Sequence, residues 1–202
     1  PYRNLVLETN QGTQATFGDV DGDGDKDSLV CNYAGDCFFY ENSGTRGEAT
    51  MLQMSGADDP FNSVVNSADF PAPDQSSGGS CSNFFDFNGD GKQDMIVFVG
   101  LDARSFNLYL NTGTSTSPAF TLCSATCPGG TNNPWNSYNA YTTSGSTAPA
   151  CPFCYDIYDN DGDPDCIFAL KTGAIELWKN SGTSTAPNFA KDTGTHAFSN
   201  LI

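Results

Sequence analysis

The residues with the most chemical potential are carboxylates spaced two apart. One stretch runs Asp19-Val-Asp21-Gly-Asp23-Gly24-Asp25-Lys-Asp27. It recurs as Asp86-Phe-Asn88-Gly-Asp90-Gly91-Lys92-Gln-Asp94 and, with one extra residue, as Asp156-Ile-Tyr-Asp159-Asn-Asp161-Gly162-Asp163-Pro-Asp165. Oxygen donors at alternate positions of a tight loop converge on one point. Hard cations take such donors, and Ca2+ accepts roughly 6–8 of them in a flexible shell. Without a cation the carboxylates repel one another.

In the first loop the expected ligands are the side chains of Asp19, Asp21, Asp23 and Asp27 with the carbonyl of Asp25. In the second they are Asp86, Asn88, Asp90 and Asp94 with the carbonyl of Lys92. In the third they are Asp156, Asp159, Asp161 and Asp165 with the carbonyl of Asp163, and the insertion and Pro164 set that loop apart. Up to three Ca2+ are expected. A glycine at the sixth position permits the sharp turn, as in the EF-hand loop. The EF-hand's glutamate at position twelve is missing, because Val30, Val97 and Phe168 stand there. These are β-hairpin calcium loops and not EF-hands.

The loops must be positioned by what surrounds them, and the surroundings repeat too. After each loop comes an apolar run: Leu29–Cys31, then Met95–Val99, then Cys166–Leu170. A turn and a second run follow, at 37–41, 106–110 and 175–179. Then Asn-x-Gly-Thr recurs at Asn42, Asn111 and Asn180, spaced 69 residues apart. The runs are short, β-branched and aromatic, and are bounded by Gly, Asn and Asp, so they read as strands. Tyr40, Tyr109 and Trp178 fall on one face of the second strand, and Phe39, Leu108 and Leu177 on the other. Both faces are apolar, so sheets covered on both sides, as in stacked blades, are expected. An aromatic row could instead be a platform for sugars. No sustained helical periodicity is present, so little helix is expected.

The stretches 52–82 and 121–150 read as long, irregular connections rich in Gly, Ser, Thr and Pro. They also carry Phe61, Phe70, Trp135 and Tyr141, so parts of them should dock on the body. The eight cysteines fit no zinc pattern, since Cys151-Pro-Phe-Cys154 stands alone and His196 is the chain's one histidine. Disulfides in an oxidising compartment are expected, which implies an extracellular or cell-surface setting. Many pairings are open. Cys31 and Cys37 flank a turn and could cross-link a hairpin. Cys154 and Cys166 could do the same about the third loop. Cys123 and Cys127 are close enough to pair, which would leave Cys81 with Cys151.

The net charge of −16 sets the chain against nucleic acid and anionic membranes. No apolar run approaches the roughly 18 residues of a membrane span. No signal-peptide pattern opens at Pro1, so a mature product or a piece of a longer chain is expected. Catalysis is not expected. His196 has no partner motif, no Gly-x-Ser-x-Gly elbow or phosphate-binding loop is present, and the carboxylates are accounted for as ligands.

Residues 17–30 resemble the FG-GAP/VCBS repeat, as do 84–97 and, with the insertion, 155–169. The resemblance is confined to the loops and the strands that follow them. It implies an all-β fold of three β-propeller-type blades, each a four-stranded antiparallel sheet carrying a Ca2+-binding loop between adjacent strands. It also implies an extracellular adhesion, carbohydrate-binding or scaffold role, as in integrin α-chain propellers and some lectins. The period of 69 residues is long for the family, and three blades are fewer than the four to eight of closed propellers.

The repeat phase divides one array into residues 1–50, 51–119 and 120–188. Residues 189–202 begin a further repeat or complete a neighbouring blade. From Phe189 to the end and in again from Pro1 to Asp19 is 32 residues, close to the 35 and 36 that separate Met51 from Asp86 and Phe120 from Asp156. The expected partners are therefore other protein chains, among them copies of this one joined head to tail in a filament or other assembly. Glycans are the alternative partner, stacked on Trp135, Tyr138 and Tyr141. Against that, the same aromatics could simply anchor their connection.

Overall fold

The computed structural model describes residues 13–32, 36–45, 47–65, 81–99, 105–136, 150–170 and 173–194. Phe70, Tyr138, Tyr141 and His196 lie outside them. So do parts of the expected turns and connections, at 34–35, 71–80, 101–104, 142–149 and 171–172.

The described residues form three four-stranded sheets, each antiparallel and each running in chain order. The first comprises β1 (Thr13–Gly18), β2 (Asp27–Asn32), β3 (Cys37–Asn42) and β4 (Met51–Gln53). The second comprises β5 (Ser82–Phe85), β6 (Asp94–Val99), β7 (Ser105–Asn111) and β8 (Phe120–Cys123). The third comprises β9 (Ala150–Tyr155), β10 (Asp165–Leu170), β11 (Ile175–Asn180) and β12 (Phe189–Lys191). The one α-helix among the described residues is a single turn, α1 (Asn62–Val65). The all-β reading holds, and each pair of apolar runs forms the middle two strands of a sheet.

Each acidic loop joins the first strand of its sheet to the second. The fourth strands start at Met51, Phe120 and Phe189, where the repeat phase begins its next unit, so each sheet extends past a repeat boundary. The reason is local. Met51 pairs with Asn42, Phe120 with Asn111 and Phe189 with Asn180, as the turn after each asparagine folds the chain back on the strand it has just left. Phe189–Lys191 thus completes the third sheet of its own chain.

The second sheet is buried on both faces. Phe84, Met95, Val97 and Tyr109 pack against Leu29, Cys31 and Phe39 of the first sheet. Phe85, Ile96, Phe98 and Leu108 pack against Cys154, Cys166 and Phe168 of the third. At the first strands, the buried Asn83 Oδ1 accepts the amide of Cys154 at 2.9 Å. Further out, Gln14 of β1 reaches Cys151 of β9 at 3.8 Å.

Of the aromatics predicted to dock, Phe61 and Trp135 do so. Phe61 stacks on Phe120 with centroids 4.4 Å apart, and Trp135 lies 4.9 Å from Phe189 and 5.8 Å from Phe168. Tyr40 and Tyr109 are buried, and Trp178 is half-buried against Trp135. The aromatic row is packing and not an open platform. Trp135 is fully buried and offers no ring face to a sugar.

All eight cysteines are paired, as Cys31–Cys37, Cys81–Cys151, Cys123–Cys127 and Cys154–Cys166. The first and last of these join residues directly opposite each other on neighbouring strands. Cys81–Cys151 ties the second sheet to the third across 70 residues, whereas Cys31–Cys37 closes only six. In the chain-entropy picture the longer loop constrains the unfolded chain more. Replacing Cys81 and Cys151 with serine should therefore cost about 2 kcal/mol more than replacing Cys31 and Cys37. Urea denaturation of the two double variants checks this, and equal losses would contradict it.

Candidate metal centres

The three loops are built on one plan. The first aspartate of each accepts the amide of the glycine at position six. Gly24 N lies 3.1 Å from Asp19 Oδ2, Gly91 N 2.8 Å from Asp86 Oδ2, and Gly162 N 3.0 Å from Asp156 Oδ2. Those glycines have φ of 96°, 83° and 95°, a left-handed turn that a side chain would strain. The aspartate at position five accepts the amide two residues on. These bonds run from Asp25 N to Asp23, Lys92 N to Asp90 and Asp163 N to Asp161, at 2.8, 3.0 and 3.0 Å. Position three does the same in the first two loops, through Asp21 and Asn88.

The last aspartate has a second task. Asp27, Asp94 and Asp165 open the second strand of each sheet and are almost wholly buried. Asp94 Oδ1 accepts the amide of Asn111 at 2.7 Å, and its Oδ2 accepts that of Phe87 at 2.9 Å. Asp27 does likewise with Asn42 and Val20, at 2.9 and 2.8 Å. Asp165 Oδ1 accepts the amide of Asn180 at 2.8 Å. The asparagine then passes the tie onward. Asn111 Oδ1 accepts the amides of Gly113 and Ala119, and Asn42 and Asn180 make the matching bonds. One buried carboxylate thus links the acidic loop to the turn that returns the fourth strand. Sequence reasoning assigned these aspartates only as ligands and gave the asparagines no role. The matched recurrence of Asp and Asn in three copies was the signal for it.

Among the described residues, two groups of carboxylates could hold a metal ion. Asp19, Asp21 and Asp27 bring ligand oxygens within 4.8 Å of one another, and so do Asp156, Asp159 and Asp165. Asp19 Oδ1, Asp156 Oδ1 and Asp165 Oδ2 are buried oxygens with no hydrogen-bond partner. Buried carboxylate oxygens without donors are costly, and a cation supplies what they lack. The corresponding trio of the second loop is Asp86, Asn88 and Asp94, only two of which are carboxylates. Asp23, Asp90 and Asp161 stand outside these trios, with an oxygen turned back on their own loop's backbone.

Lysines enter two of the loops. Lys92 Nζ lies 3.0 Å from Asp90 Oδ2 and 3.1 Å from the carbonyl of Gly113. Lys179 Nζ lies 2.6 Å from Asp159 Oδ2 and 5.4 Å from the centre of the Tyr158 ring. The hydrogen bond from Lys179 holds the Asp159 carboxyl below the ordinary range. Among the described residues no lysine forms an ion pair with the first loop's aspartates.

Burial pushes the Asp27 carboxyl up to about 6 and that of Asp94 up to about 7, against the pull of their amide partners. Burial also raises Asp21 and Asp165. Neighbouring aspartates add to the rise in all four.

A comparison with protein-family models gives no match, and neither does one with curated proteins. The FG-GAP resemblance therefore stands on the loop residues themselves.

Two outcomes follow for the chelated protein. The folded pKa values of Asp27 and Asp94 lie above the unfolded ones, so the folded state holds the proton more tightly. That contribution is complete below about pH 4 and is lost as pH rises through about 6 to 7. In EDTA the melting temperature should fall between pH 4.5 and 7.5 (roughly the interval between the unfolded and folded values). A rise over that interval would contradict the assignment. Secondly, Asp94→Ala leaves two buried amides unpaired and should cost on the order of 3 kcal/mol in urea denaturation, against less than about 1 for Asp90→Ala on the exposed rim. Equal costs would remove the buried carboxylate's special role.

Proposed function

We propose that the chain is a calcium-stabilised, non-enzymatic structural or adhesion module, with its three sheets acting as β-propeller-type blades. The observation that carries this reading is the buried, partnerless oxygen at the matching Asp19 and Asp156 of two loops, joined in the third loop by one on Asp165. All-oxygen donor sets with several carboxylates suit Ca2+ better than softer metals, which prefer nitrogen or sulfur. The first loop is the strongest site, because all its side-chain donors are carboxylates and among the described residues no lysine pairs with them. The second and third are weakened by Asn88 with Lys92, and by Lys179.

The cation's task is to hold structure. It neutralises the carboxylates that fix each loop, and through Asp27, Asp94 and Asp165 it supports the strands behind them. Four disulfides favour an oxidising, extracellular setting, and among the described residues no helix is long and apolar enough to cross a membrane. The burial of Trp135 leaves the glycan alternative without its largest expected platform.

Calcium titration into chelated protein, followed by calorimetry, tests the reading. Saturable heat with a raised melting temperature is expected, and Asp19→Asn with Asp21→Asn should remove the tightest binding phase. A melt indifferent to both EDTA and excess Ca2+ would overturn it.

A further inference from the structure

The donor trio of the second loop departs from the other two at one residue. Asp21 and Asp159 are carboxylates at that place, and Asn88 is a carboxamide. The first and second loops otherwise share their form there. Asp21 Oδ1 accepts the amide of Asp23 at 3.2 Å, and Asn88 Oδ1 accepts that of Asp90 at 3.0 Å. The glycine that follows has φ of 73° at Gly22 and 71° at Gly89. An aspartate followed by glycine therefore already occupies this conformation in the first loop.

Asn88–Gly89 is also the chain's one Asn–Gly step. Asparagine loses its side-chain amide most readily at such a step, because glycine puts no side chain in the way of its own amide nitrogen. The glycine cannot be exchanged here. Gly89 lies against Ser184 and Thr185, in the turn before β12, where a Cβ would meet the backbone at 2.6 Å. Gly22 is held in the same way against the Ser115 side chain, in the turn before β8, at 2.9 Å. Docking of these loops on the next sheet's turn thus fixes the glycine, and in the second loop an asparagine precedes it. The neighbouring groups suit the reaction. Asp86 Oδ1 accepts the amide of Gly89 at 2.7 Å, where it can take the proton of an attacking nitrogen. The Asp90 amide on Asn88 Oδ1 polarises the carbonyl to be attacked. Asn88 Nδ2, the leaving nitrogen, donates to Asp90 Oδ2 at 3.3 Å. Asn88 is only half-buried, so water reaches it.

We propose that Asn88 is a self-modification site, at which the chain converts its own asparagine to aspartate and so completes the carboxylate trio of the second loop. The Gly89 nitrogen forms a bond to Asn88 Cγ, and its proton passes to Asp86. The bond from Cγ to Nδ2 breaks, and ammonia leaves with that proton, which closes a succinimide ring. Water then adds to Cγ. The bond from Cγ to the Gly89 nitrogen breaks, and that nitrogen recovers a proton from the water. The sum takes in an amide and water and gives out a carboxylate and ammonium, with no oxidant or cofactor. Attack of water on the backbone carbonyl would instead give isoaspartate, which adds a carbon to the main chain. Gly89 sits hard against the Ser184 backbone and has no room for that extra length, so the fold selects aspartate. The new carboxylate faces Asp90 Oδ2, and the Lys92 ammonium 3.0 Å from that oxygen offsets the repulsion. The consequence for metal rests on the reading of the loops as calcium sites; the chemistry does not.

Peptide mapping by mass spectrometry tests this on the whole chain, chelated and incubated at neutral pH below its melting temperature. A second sample is held unfolded in guanidinium chloride. Aspartate should accumulate at position 88 as the main product of the folded chain, and isoaspartate as that of the unfolded one. An Asn88→Gln variant, whose longer side chain cannot close the same ring, should keep its amide. Calcium calorimetry then compares fresh, aged and Asn88→Asp protein. The aged protein and Asn88→Asp should share one isotherm, with one phase about tenfold tighter than in the fresh protein. An Asn88 that persists in the folded chain while it converts in the unfolded one overturns the proposal. So does isoaspartate as the main folded product, or conversion that leaves the isotherm unchanged while the other loops bind. If Asn88 converts and no loop binds calcium, the metal reading falls and the modification stands.

Discussion

A buried carboxylate that both ends an acidic loop and begins a strand is the constraint on which each sheet depends. Asp94 shows it most fully, with no exposed surface and both oxygens held by backbone amides. Its charge is sheltered from water, and the nearest charges are other aspartates. Such a group either takes a proton or takes a cation. In the proposed reading the loops offer the second solution, with further carboxylate oxygens brought close together in the first and third loops.

From that carboxylate the order spreads outward. Its amide partner in the third strand is an asparagine whose own side chain fixes the following turn. That turn sets the register of the fourth strand and presents a surface on which the preceding sheet's loop rests. Packing then does the remainder. The middle sheet is apolar on both faces because it is covered twice, and aromatic side chains from the long connections fill the gaps. Cys81–Cys151 fastens the second sheet to the third, where Asn83 already ties β5 to β9.

Much of this was legible in the residues. Alternating carboxylates around a glycine marked the loops, and period-two apolar runs marked the second and third strands. Proximity along the chain suggested three of the disulfides, and Cys81–Cys151 was the pair those left over. Other features were out of reach. No local signal separates Asp27 from Asp21 or Asp23, because burial is a property of the sheet that encloses it. The fourth strands are short, and the repeat phase alone assigned them to the next unit. For Trp135 the residues favoured docking but left sugar stacking open, and its enclosure by Phe168, Phe189 and Trp178 comes from the fold. The pairing of Lys179 with Asp159 depends on a hairpin bringing β11 beside the loop, which spacing does not reveal.

The most direct measurement is a crystal structure of the protein grown with Ca2+, with anomalous scattering used to locate the ion. Calcium peaks should lie about 2.3–2.6 Å from Asp19 Oδ1 in the first loop, and from Asp156 Oδ1 and Asp165 Oδ2 in the third. Those oxygens bound only to water or protein groups, with no anomalous peak at either loop, would contradict a cation as the element that holds the sheets in shape.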